Sequence, residues 1–144
     1  MNRQSLLRAA ALVLILAPTV AMSDDAPALK EIMQELRNKL IEISDGILTD
    51  NFEQVAKGAA SIAEHPKIAP AEVALVASAL GPEMSAFKRL DNVVHDLSLE
   101  ISAAAEALDR DAVISGYQRM IAGCADCHSS YKERVAAALS SQPE

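Results

Sequence analysis

The chain has 144 residues and a formal charge of −7, with 20 acidic against 13 basic side chains. Such an excess of acid excludes nucleic acid as a partner, because neutralising phosphates needs surplus Lys and Arg. Hydrophobic residues make up 51% of the chain but aromatics only 3%, with no tryptophan, so any core must be built from Ala, Leu, Ile and Val.

The first 21 residues read as an export signal. Arg3 and Arg8 precede the uncharged run 9–17, and Thr19-Val20-Ala21 offers small residues for cleavage after Ala21. An uncleaved anchor is the alternative, but the apolar stretch of about 12 residues falls short of the roughly 20 that a membrane span needs. The expectation is therefore a cleaved signal over 1–21, one domain over 22–139 and a short tail over 140–144, with no stable membrane insertion after cleavage. Losing Arg3 and Arg8 takes the charge from −7 to −9. About 123 residues remain, enough for a single domain.

Leu29, Ile32, Met33, Leu36, Leu40, Ile43 and Ile47 recur at spacings of three and four and predict an amphipathic helix over 28–48. Pro27 suits its start, and Gly46 is expected to weaken its last turn. Asp50 with Glu53 reads as a capping box for a second helix through Phe52, Val55, Ala59 and Ile62, ended by Pro66 and Pro70. A short helix over 71–80 stops at Gly81-Pro82. A long helix over 83–108 points Phe87, Leu90, Val94, Leu97, Ile101, Ala104 and Leu108 inward. The last begins at Asp109 or Asp111 and carries the stripe Ile114, Tyr117, Ile121, Cys124, His128, Tyr131, Val135 and Leu139. No stretch alternates with period two. The pattern is all-α, an up-down-up-down four-helix bundle.

On the last helix stands the most specific motif of the chain, Cys124-Ala125-Asp126-Cys127-His128. Two thiols three apart followed at once by an imidazole form the attachment signature of c-type haem, with His128 holding the iron. Cys124 and His128 are four apart and share a helix face, with Cys127 beside them. A Cys124–Cys127 disulfide of the thioredoxin-like kind competes, but no strand precedes the motif and His128 would go unexplained. Structural zinc lacks a second ligand pair. A buried haem would supply the apolar area that the sparse aromatics do not, leaving the apoprotein much less stable than the holoprotein.

The chain resembles the class II cytochrome c family, which includes cytochrome c′ and cytochrome c-556. The resemblance rests chiefly on the motif at 124–128 followed by the aromatic-basic pair Tyr131-Lys132. It is supported by Gly81-Pro82-Glu83-Met84, Phe87, Asp91, Val94, His95 and Asp96, which are closer to the low-spin cytochrome c-556 branch. It implies a four-helix bundle, one covalent haem c attached through Cys124 and Cys127, and a periplasmic location. By its residues alone, Met33 is an apolar side chain on an inward stripe, the ordinary position of core filler. The resemblance implies that it is the distal iron ligand opposite His128.

Met84, Met120, His65 and His95 are the rivals for that place. Met84 lies near a bundle end, Met120 is on the haem-bearing helix itself, and His95 could instead hydrogen-bond across the bundle. Arg37, one turn beyond Met33, could bind a haem propionate or lie solvated. Tyr131 is expected to pack on the haem, with Lys132 and Arg134 near His128.

The expectation from these residues is a periplasmic electron carrier, not an enzyme, exchanging electrons with periplasmic redox proteins. Its net charge suits a basic patch on the partner. The alternative is binding of diatomic gases such as nitric oxide or carbon monoxide, which requires Met33 to leave the iron open. Monomer and homodimer both remain compatible with the pattern.

Overall fold

Five α-helices and one 3-10 turn make up most of residues 26–141, the part of the chain that the computed structural model describes. The expected export segment 1–21 and the tail residues 142–144 lie outside the described residues. α1 spans Leu29–Leu48, α2 Phe52–Ala63, α3 Pro70–Leu80, α4 Met84–Glu106 and α5 Arg110–Ser140. Gly81–Glu83 forms the 3-10 turn between α3 and α4. Among the described residues there is no strand, and no helix is long and apolar enough to cross a membrane.

Helix ends explain most departures from the expected limits. α1 closes on a hydrogen bond from the Asn51 amide to the Gly46 carbonyl (2.8 Å), which drives Asp50 to φ 55. Asp50 is therefore no cap. Asn51 takes that part, its side chain accepting from the Gln54 amide at 3.1 Å, while Asp50 pairs with Arg110 at the start of α5. Gly46 is buried where α2 approaches: a Cβ there would meet Val55 Cγ2 at 2.8 Å. The residue expected to weaken the turn thus permits a helix crossing.

The end of α4 repeats the device. Asp109 donates its amide to the Ala104 carbonyl (2.9 Å), leaving Leu108 at φ 57 and 69% exposed, outside the helix and outside the core. Asp109 then caps α5 by accepting from the Ala112 amide at 3.0 Å. Pro70 occupies the first turn of α3, where its missing N–H costs nothing.

Neighbouring helices run antiparallel. Gly58 of α2 lies against Ile43 of α1, and the Ser102 hydroxyl of α4 donates to the Ala56 carbonyl of α2 (3.2 Å). On α5, Gly116 and Gly123 face Ile101 and Val94 of α4, and Arg119 and Arg134 pair with Glu100 and Glu83. α2 ends halfway along α1, and α3 packs on α5 over the remaining half.

The core consequently has two parts. One gathers Ile43, Val55, Ile62, Leu97, Ile101, Val113 and Met120. The other gathers Leu29, Val76, Leu80, Tyr131 and Val135. In the first half of α5 the buried line runs through Val113, Gly116, Met120 and Gly123, about a third of a turn from the expected stripe, and leaves Ile121 exposed; Tyr131 and Val135 of that stripe are buried as expected, while His128 is exposed. Apolar periodicity marked one face of α5, but the tightest contact is made by glycines, which carry no hydropathy signal.

Candidate functional site

α1 and α5 approach each other sparsely, and the line between them is where the chemistry-bearing residues gather. Two anchors set their register. The Tyr117 hydroxyl donates to the Leu40 carbonyl at 3.4 Å, and Leu29 shares a packed cluster with Tyr131. Between two antiparallel helices so anchored, Met33 stands level with Cys124–Cys127.

Cys124 packs against the first core cluster and Cys127 against the second, so the motif straddles the seam between the two. Both thiols are free and half-buried. Burial pushes the Cys124 thiol above the ordinary cysteine range. Burial does the same at Cys127, aided by the carboxylate of Asp91 on α4 and by Cys124 itself. Both sulfurs are thus protonated and weakly nucleophilic near neutral pH. The His128 ring next to them is exposed. Among the described residues no three His, Cys, Asp or Glu side chains converge around a point as ligands of one metal ion. The two thiols and the imidazole are instead strung along one helix.

Met33, expected on the inward stripe of α1, is instead 38% exposed, its place in the core taken by the neighbouring Ile32, and Ile121 of α5 is 40% exposed. Towards the α1–α2 turn the gap opens into a groove of about 370 Å³, lined by Arg37, Leu40, Ile41, Leu48 and Tyr117. That volume is within the usual range for small-ligand sites. The groove itself stops short of Met33 and Cys124, which lie further along the same seam. Leu36, Leu40, Tyr117 and Cys124 all pack against the first cluster, and Phe87, Leu90 and Cys127 against the second. Two free thiols, a neighbouring imidazole and an apolar cluster behind each thiol are a donor set suited to a covalently attached apolar group.

The other expected positions fall as follows. Arg37 is exposed on the groove wall. Tyr131 is buried, edge-on to Phe87 with ring centres 5.6 Å apart, and Arg134 stacks over it at 5.5 Å. Met84 is half-buried in the second cluster beside Glu83, which pairs with Arg134, more than a turn beyond His128. Met120 is wholly buried in the first cluster. His65 is half-buried, with Nδ1 2.8 Å from the Pro66 carbonyl. His95 does not bond across the bundle: it is exposed and its Nδ1 lies 3.3 Å from Asp96 Oδ1. The proximity of Asp91 to Cys127 and the Tyr117–Leu40 tether were not anticipated, since nothing local in the sequence links either pair.

Comparison with protein-family models, with curated proteins and with solved structures finds no match.

Proposed function

We propose that this chain is an exported single-haem c-type cytochrome, resembling class II, that carries electrons in the periplasm. One observation carries this: Cys124, Cys127 and His128 follow one another on α5, the two thiols free and packed one against each core cluster. When bound, a haem supplies a one-electron Fe(III)/Fe(II) couple tuned by axial ligands and burial.

Cys124 and Cys127 would hold the group to α5, and their being free thiols suits them to covalent attachment. His128 and Met33 are the residues that would hold the iron. Arg37 is placed to pair with a carboxylate, for which its planar fork is suited. Tyr117 ties α1 to α5 at the edge of the seam. In this reading the protein is a carrier and not an enzyme, and its partners are periplasmic redox proteins.

A second reading, binding of a diatomic gas, is favoured by the exposure of Met33, a side chain that no packed core holds in place. Addition of carbon monoxide to the reduced, matured protein separates the two. A stable spectrum supports the carrier, whereas prompt formation of a carbon monoxide adduct supports gas binding.

A further inference from the structure

Leu48 and Leu108 are the most exposed large hydrophobics among the described residues, at 81% and 69%. Leu48 closes α1, and Leu108 lies in the turn between α4 and α5. Asp50 and Arg110, each two residues further on, pair with one another, and Arg110 also stacks over Phe52 at 5.9 Å. The two turns therefore make up one end of the bundle. Neither leucine joins a core cluster, and Leu108 is held at φ 57, a left-handed backbone that favours glycine. An apolar side chain kept strained and in water gains the fold nothing, and such strain points to a use outside the fold.

Around these leucines stand Asp45, Asp50, Glu53, Glu106, Asp109 and Asp111, all exposed. The cations in the same stretches, 45–57 and 104–114, are Arg110 and Lys57, and each is paired, with Asp50 and Glu53. Four negative charges remain there, out of six in excess over residues 26–141. The opposite end, 28–31 with 72–89 and 130–141, has one positive charge in excess. Some of the acids serve the helices: Asp109 caps α5, and Glu53 and Asp111 sit in first turns, where a carboxylate suits the helix dipole. Asp45 and Glu106 lie in last turns, where the dipole opposes a carboxylate. Asp45 accepts from Gln54, but Glu106 forms no ion pair or side-chain hydrogen bond among the described residues.

We propose that this end of the bundle docks a partner protein through an apolar depression rimmed by Lys and Arg, with Leu48 and Leu108 as its anchors. Net charge alone left open where a basic rim would meet the chain. A second copy would set the same surplus of acid against itself, and an anionic membrane would repel it. The proposal goes beyond the haem reading and does not rest on it: Cys124 is fourteen residues past Arg110, which is about 21 Å along a helix.

A fluorescently labelled amphipathic peptide of leucine and lysine, about 14 residues long, is titrated with the exported chain in about 50 mM salt and followed by anisotropy. Leu48→Ser with Leu108→Gly, which changes no charge, should weaken binding by about fivefold or more. Glu106→Gln with Asp111→Asn should weaken it by about threefold or more. Two control pairs should each leave it within about twofold: Val93→Ser with Leu99→Ser, exposed on α4, and Glu64→Gln with Glu133→Gln, exposed away from this end. Circular dichroism verifies that each variant is folded.

Equal loss in the control pairs overturns the proposal, as does equal binding of the same peptide with glutamate in place of lysine. A dimer in sedimentation velocity that the leucine pair abolishes would assign this end to a second copy and overturn it too. So would sedimentation with phosphatidylglycerol vesicles that the same pair abolishes. Anisotropy reads the docking whether or not the chain carries haem, so failure of the functional reading and failure of this proposal are told apart.

Discussion

Two glycines one heptad apart on α5 should respond to alanine with opposite sign. A Cβ at Gly116 would stand 2.7 Å from Cγ1 of Ile101. Ile101 has no exposed surface and is packed among Leu97, Ala105, Val113 and Met120, so it has nowhere to swing. Overpacking of this kind costs about 1–3 kcal/mol, against a gain of about 1 kcal/mol from replacing glycine inside a helix. The net for Gly116→Ala is a loss of about 0–2 kcal/mol.

At Gly123 the nearest atom, Val94 Cγ2, would be 3.4 Å from the new Cβ, an ordinary contact. There the propensity gain stands nearly alone, and Gly123→Ala should stabilise by about 0.5–1 kcal/mol. Urea unfolding followed by circular dichroism at 222 nm, with slopes compared to verify a shared mechanism, reads both. Equal effects, or a larger loss at Gly123, would refute the assigned α4–α5 register.

Other outcomes follow from the turns, the charges and the thiols. Leu108→Gly should stabilise by about 0.5–1 kcal/mol in the same assay, because an exposed side chain is given up to relieve a left-handed backbone at φ 57. Hydrogen bonding from Arg134 holds Glu83 below the ordinary carboxylate range. Its contribution is complete above the unfolded-state value and lost as pH falls through the folded-state one. Melting midpoints should therefore drop more steeply below about pH 4.5 in the parent than in Glu83→Gln; parallel curves would remove the pair from the account. In protein made without cofactor, iodoacetamide should alkylate Cys124 and Cys127 more slowly at pH 8 than it does free cysteine, because both thiols are raised.

Helix existence was legible because Leu29 to Ile47 and Phe87 to Ile101 repeat at helical spacing, and the limits of α1 and α3 differ from expectation by one residue. The turns were less so. Asp50 and Asn51 are both good capping residues, and only the Asn51–Gly46 hydrogen bond decides between them. Leu108 continues the apolar period of α4, yet the chain has already turned there. On α5 the apolar stripe and the glycine line are adjacent faces. Sequence weighs Ile121 above Gly123, whereas packing does the opposite, since absence of a side chain is what lets α4 approach.

The motif residues were legible as a local string. Their relation to Met33 was not, because it depends on a register set by Tyr117–Leu40 and Leu29–Tyr131, far apart in the chain.

The central claim is tested most directly by the optical spectrum of protein matured in a c-type cytochrome-assembling host, recorded oxidised and reduced, for the parent and for Met33→Ala. The account predicts covalently retained haem with a low-spin spectrum and a sulfur-to-iron band that Met33→Ala abolishes. Protein that emerges without covalent haem would contradict the cytochrome assignment, and a haem spectrum indifferent to Met33→Ala would contradict the place given to that side chain.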